Sequence, residues 1–230
     1  MPGTSVHTAL ANEIGLRIVR GDYPPGTILP NEAKWADTFS VSRSAVREAI
    51  KMLMAKSLLS SRPKIGSWVE PRERWNLLDR DVLGWYATSP DRESFLRTVQ
   101  EFRYIIEPEA TAFAAVRRTE AEMAEISKAC REMGEATSLS ERTQADTRFH
   151  LAILRACGND LLVPLGVLIE SALSNLFVYV TREVDDLQHA QKLHETIERS
   201  IRLQRPDAAR NAVRKLLANT DEIIGGSRPR

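Results

Sequence analysis

The 230 residues are 43% apolar and 27% charged, an ordinary globular composition with room for one large domain or two smaller ones. No run of 18 apolar residues occurs, so no membrane span is expected, and Met1 to Leu10 lacks the charged start and apolar core of a secretory leader. Cys130 and Cys157 have no metal-type spacing and read as small core residues of a protein kept in a reducing cytoplasm.

The net charge of +1 conceals an asymmetry. Residues 1–70 carry nine Lys/Arg against six Asp/Glu, and residues 71–230 carry 23 against 25. Between Ser40 and Gly66 the basic residues Arg43, Arg47, Lys51, Lys56, Arg62 and Lys64 stand against Glu48 alone. A local basic stripe matters more for nucleic-acid binding than a basic total. From charge alone, a solvated helix face fits equally well.

In chain order, the spacing of Leu10, Ile14, Ile18 and Val19 predicts a helix over Val6–Gly21, ended by Asp22-Tyr-Pro-Pro-Gly26. Asn31 is a good cap for a second helix carrying Ala33, Trp35, Ala36 and Phe39. After a tight turn at Ser40-Val41, Ser42 caps a third, with Val46, Ala49, Ile50, Leu53 and Met54 expected inward. Leu58–Ser61 and Ser67–Val69 suit two short strands around Arg62–Gly66. Residues 72–90 read as a connector holding a short helix. Long helical periods follow at about 91–117, 119–136, 139–157, 160–182, 187–204 and 206–224, with a polar break at Arg182–Asp186. The expected fold is mainly α: a winged helix-turn-helix over 1–71, the connector over 72–90, and an all-α antiparallel bundle of six to seven helices over 91–230.

In a helix-turn-helix, the second helix enters the major groove with its N-terminal residues at the base edges. On helix three the outward residues are Ser42, Arg43, Ser44, Arg47 and Lys51. Arg43 and Arg47 lie four apart on one face, and an arginine fork matches guanine O6 and N7. Ser42 and Ser44 suit phosphates at a helix N-terminus. Arg62 and Lys64 sit at the wing tip for a minor-groove or phosphate contact, and Gly66 lets the backbone turn. For Arg47 the alternative is a local ion pair, for which Glu48 of a second subunit is a candidate partner.

Gly26-x-x-Leu29-Pro30-x-Glu32, then Phe39-x-Val41-Ser42-Arg43-x-x-Val46-Arg47-Glu48-Ala49-Ile50, Leu53 and Gly66-x-x-Val69, resembles the N-terminal module of the GntR family of bacterial regulators. Ser40 and Ser57 replace glycines of that pattern, Asn31 a serine, and Ala33 stands where some members carry a DNA-contacting arginine. Glu101-x-Arg103-x-x-x-Glu107-Pro108, Asp146-x-x-Phe149-His150, Cys157-Gly-Asn159 and His194-x-x-Ile197 resemble the FCD effector domain of the FadR-type branch. The stretch Trp75-Asn76-x-Leu78-Asp79-x-Asp81-Val82-Leu83-x-Trp85 is similar to the galactonate-operon repressor group within it.

This resemblance implies a ligand-responsive, DNA-binding repressor and not an enzyme. As a homodimer it would read a pseudo-palindromic double-stranded operator. Asp146 and His150 share a helix face, and with His194 they make a ligand set compatible with Zn, Ni or Mn. Many members add a further histidine where Leu216 stands here, which leaves open positions for water or an effector oxygen. Asn219 or Thr220, one turn on, offers a polar contact. Arg103 suits a carboxylate effector, with a sugar acid implied by the galactonate group. A dicarboxylate or another small organic acid is the alternative ligand. Simpler readings pair Asp146 with His150 on the helix surface, His194 with Glu198, and Arg103 with Glu107. A metal-dependent hydrolase built on Asp146, His150 and His194 is the remote alternative.

Overall fold

Ser5, Asn31 and Ser42 each accept a backbone N–H on the side-chain oxygen, and each starts a helix: α1 (Val6–Arg20), α2 (Glu32–Phe39) and α3 (Arg43–Ala55). The computed structural model describes residues 5–180 and 184–226, with side chains for 5–174 and 187–221. Two compact units part between Glu93 and Ser94.

In the first unit, Leu10, Ile14, Ile18 and Val19 of α1 pack with Val46, Ala49, Ile50 and Leu53 of α3. Each buried Leu, Ile or Val among them contributes about 1.5–3 kcal/mol. That packing, more than propensity, holds helices as short as these. Met54 departs from the expected inward set and is 39% exposed. One residue beyond the fully buried Leu53, it falls off the apolar stripe and borders the groove between α3 and the strands.

The wing pairs β1 (Leu59–Arg62) with β2 (Gly66–Val69), antiparallel, with Leu59 opposite Val69 and Arg62 opposite Gly66. Its turn uses left-handed backbone at Lys64 (φ 69°) and Gly66 (φ 98°). Next comes α4 (Arg80–Ala87), capped by Asp79. The Lys56 ammonium ends α3 and reaches Asp79 Oδ1 at 2.8 Å and Asp81 Oδ2 at 2.7 Å, tying α3 to the start of α4. Trp85 of α4 packs on Gly15 of α1, so the connector helix is part of this unit.

The second unit is all helical. It takes α5 (Arg92–Arg117) from Ser94 onward, then α6 (Glu120–Glu135), α7 (Leu139–Ala156), α8 (Gly166–Val180), α9 (Val184–Arg202) and α10 (Pro206–Gly226). Reciprocal capping boxes start α6 (Thr119 with Glu122) and α7 (Ser138 with Glu141). The helix expected from 160 begins only at Gly166. Pro164 lies in a 3-10 turn over Val163–Leu165, and Leu161 is 82% exposed. Of the expected break at 182–186, residues 182 and 183 lie outside the described residues and 184–186 already open α9. Phe149, Ile126, Ile197, Ile201 and Leu217 fill the core, and both cysteines are buried free thiols.

Candidate functional site

Two sites emerge, one in each unit. On α3, Arg43, Ser44, Arg47 and Lys51 are exposed along the outer face, with Arg62, Lys64 and Gly66 exposed on the wing. Ser42 caps α3, its Oγ accepting the Ala45 N–H at 3.2 Å and lying 2.9 Å from Ser44 Oγ. The Arg62 guanidinium lies over the Trp68 ring at 5.7 Å. Arg47 forms an ion pair within its own chain. Its Nε and Nη2 donate to Glu32 Oε1 and Oε2 at 3.1 and 2.8 Å, while Glu48 pairs with Lys51.

The second site is buried. The i, i+4 spacing brings Asp146 and His150 together on α7, and His194 meets them from α9. Asp146 Oδ1 lies 3.3 Å from His150 Nε2 and 3.1 Å from His194 Nε2. One ligand atom from each of the three falls within 4.8 Å of the others. Phe149 packs edge-on against both imidazoles, at centroid distances of 5.6 and 5.4 Å.

The outer nitrogens of the two rings are occupied. His194 Nδ1 is 2.7 Å from the Ala190 carbonyl, which can only accept, so Nδ1 carries the proton. His150 Nδ1 is 2.8 Å from Glu107 Oε2 on α5, a carboxylate oxygen that likewise favours N–H there. Both Nε2 atoms therefore turn toward Asp146 Oδ1, close to it but outside hydrogen-bond geometry, and all three atoms are buried. Buried polar atoms without partners are costly, and three of them converging is what a cation site requires. The donor set of two imidazoles and a carboxylate fits a divalent transition metal.

Electrostatics link a wider network. Glu107 also receives Arg103 Nε at 2.5 Å, with both side chains almost fully buried. Burial acts to raise the Glu107 pKa, but Arg103 and His150 outweigh it and hold the carboxyl at about 2. Burial opposes the charge on Asp146 too, and the two histidines keep its carboxyl far below the ordinary range. His150 is disfavoured as a cation by burial, but the Glu107 and Asp146 carboxylates raise it to about 9.

The simpler pairings are thereby corrected. Asp146 and His150 are not on the helix surface, because the packing of α7 buries both. His194 does not use Glu198, whose carboxylate accepts from Ser127 Oγ at 2.7 Å and pairs with Arg202. Arg103 does pair with Glu107, in the interior and not on the exposed face that spacing alone suggests. Leu216 is a core side chain, and Thr220 Oγ1 donates back to its carbonyl at 3.1 Å. Asn219 is half-buried on α10, and no hydrogen bond joins it to the cluster among the described residues. Sequence reasoning missed Glu107 as the bridge to His150 and Glu32 as the partner of Arg47. Glu107 stood inside a quoted motif, but helix arithmetic connects it only to Arg103.

The model for bacterial regulatory proteins of the gntR family matches residues 7–69, and the FCD domain model matches residues 98–219. The chain belongs to the GntR family, FadR-type branch. This regulator is 34% identical to the galactonate operon transcriptional repressor of Escherichia coli K12, over 90% of its own length and 91% of the relative's. It is also 34% identical to the uncharacterized regulator YieP of the same strain, over 93% of each chain. Among solved structures, Lar of Listeria monocytogenes matches 99% of the regulator and 100% of its own chain, with a TM-score of 0.65 at 19% identity. A Streptococcus agalactiae GntR protein matches 96% and 100%, with a TM-score of 0.53 at 22% identity. At such identities the structures speak to the fold, a winged helix-turn-helix joined to a helical domain. The curated relatives are transcriptional regulators and not enzymes. No helix among the described residues is long and apolar enough to cross a membrane.

Proposed function

We propose that this regulator is a cytoplasmic, homodimeric repressor of a sugar-acid catabolic operon. In this reading Arg43 and Arg47 read base edges. Ser42, Ser44, Arg62 and Lys64 hold phosphates or the minor groove, and Gly66 shapes the wing tip. The observation carrying the sensing half is the convergence of Asp146 Oδ1, His150 Nε2 and His194 Nε2 as buried atoms without hydrogen-bond partners. These three residues would hold a divalent ion (Zn, Ni or Mn), which when bound supplies a Lewis-acidic anchor for effector oxygens.

Sugar acids are the favoured effectors because they combine a carboxylate with adjacent hydroxyls, and because the relative at 34% identity is a galactonate operon repressor. Glu107 fixes the His150 ring, and Arg103 fixes Glu107. A carboxylate effector meets Arg103 only by sharing or displacing Glu107. Asn219 offers an amide to the hydroxyls. Effector binding changes operator affinity only through unequal affinity for the two conformations of the dimer.

The test uses the full-length chain and the consensus duplex it selects from a randomised library. Galactonate and other sugar acids, then dicarboxylates and monocarboxylates, are titrated with and without each metal while duplex binding is followed by anisotropy. Release by a sugar acid, only in metal-loaded protein and lost in His150→Ala, supports the reading. Release by a dicarboxylate alone replaces the effector class, and an unchanged response in His150→Ala removes the site. Sedimentation of the free chain as a monomer at binding concentrations would remove the dimer.

A further inference from the structure

Glu32 is the first residue of α2, and its side chain faces α3. Its two carboxylate oxygens take Arg47 Nε–H at 3.1 Å and Nη2–H at 2.8 Å, a side-on, two-bond pair between residues fifteen apart. The other nearby acid, Glu48, is turned to Lys51 at 2.8 Å. The hydrogen bond from Arg47 holds the Glu32 carboxyl below its ordinary range, so the brace is charged at neutral pH.

This pair is at the surface, with side-chain exposures of 62% for Arg47 and 35% for Glu32. Exposed ion pairs contribute little to stability, so folding does not account for a two-bond geometry on the reading face. Its effect falls on the protons of Arg47. A guanidinium has five N–H groups. Glu32 takes one on Nε and one on Nη2, leaving the outer Nη1/Nη2 edge, which is the edge that bonds guanine O6 and N7 together. Arg47 and Glu32 both line a groove of about 320 Å³ bounded by α3, the start of α2 and the wing, which leaves an unbraced Arg47 room to take other positions. A phosphate is the obvious attraction for a freed arginine, and the Glu32 carboxylate holds the Arg47 guanidinium by two of its N–H groups against that pull.

We propose that Glu32 is a positioning residue that turns Arg47 from a general phosphate binder into a guanine reader, and so sets operator specificity. This rests on the assignment of Arg47 to a base edge above.

Full-length wild type, Glu32→Gln, Glu32→Ala, Arg47→Ala and the Glu32→Ala/Arg47→Ala pair are compared on the wild-type consensus duplex and on a random duplex across a salt series. Each variant also selects its own consensus from the randomised library. Glu32→Ala is expected to lower the consensus-to-random affinity ratio by about tenfold, while random binding holds or tightens. It degenerates the consensus at the same position as Arg47→Ala. Glu32→Gln keeps an acceptor and falls between. Without Arg47, removing Glu32 changes the ratio no further. Equal change on both duplexes overturns the inference in favour of bulk charge. A ratio that still falls in the Arg47→Ala background overturns it in favour of direct reading by Glu32. If Arg47→Ala relaxes a position and neither Glu32 variant does, this inference alone fails. If Arg47→Ala relaxes none, the base-reading assignment fails and takes the inference with it. Unfolding midpoints close to wild type, expected for an exposed pair, keep these outcomes separate from misfolding.

Discussion

The Trp85 ring lies so close to the backbone of Gly15 that a Cβ on Gly15 would stand 2.4 Å from Trp85 Cη2 and Cζ3. Alanine normally improves a helix interior by about 1 kcal/mol over glycine. Here the sign reverses, because the ring is 7% exposed and held in the core that α1 shares with α4. Gly15→Ala is expected to lose about 1–3 kcal/mol to overpacking. Urea unfolding checks it, and in a Trp85→Leu background the loss should shrink or change sign. Equal losses in both backgrounds would mean that the ring is not the cause.

Ser40 and Ser57 hold left-handed backbone, at φ 54° and φ 59°. A side chain there costs about 1–2 kcal/mol that glycine avoids. Ser40→Gly and Ser57→Gly are each expected to raise stability by about 1 kcal/mol, partly offset by the freer unfolded chain. Thermal melts should show increases of a few degrees that add in the double variant. A lowered midpoint in either would show that the hydroxyl makes a compensating contact.

Glu107 is buried between Arg103 and His150. Removing one member of such a network leaves buried charge without its partner, which costs about 3–5 kcal/mol. Glu107→Ala should lose that much in denaturant titration of the metal-free protein. Arg103→Ala/Glu107→Ala together should lose less than the sum of the two single losses. Strict additivity would rule out the coupling.

Metal affinity should depend on pH with a definite sign. In the metal-free protein His150 is protonated up to about pH 9, and its Nε2 binds a metal only after giving up that proton. Apparent affinity for Zn is therefore expected to rise by about tenfold per pH unit between 6 and 8, as for any site that releases one proton, and to level off near 9. Competition with a chromogenic chelator measures it. A flat profile would show that metal binding releases no proton in this range and that His150 is already neutral.

Local rules explain why much of the fold was legible. Asn31 and Ser42 cap the helices they were expected to cap, because capping is a contact across three residues. Asp146 and His150 share a face for the same reason. What stayed hidden depends on packing between distant segments. Glu107 reaches His150 across helices, and Glu32 reaches Arg47 across a turn, neither of which a period of 3.6 can show. The apolar run Leu161-Leu162-Val163 continued a helical period, yet Leu161 and Leu162 lie in a turn and Val163 opens a 3-10 turn with Pro164. Met54 matched the apolar stripe by type but lies at its margin.

Lys56 and Asp79 stand 23 residues apart and are joined directly, so the wing hangs from a ring that is already closed. Lengthening a closed loop is thermodynamically mild, about 0.6 kcal/mol for each doubling. The wing tip at Pro63 and Lys64 can thus gain or lose residues while α3 and α4 keep their mutual register. Reach into the neighbouring groove becomes a trait that can drift separately from the reading helix. In the proposed mode of binding, the length of the wing and the residues exposed on α3 are separable determinants of DNA contact.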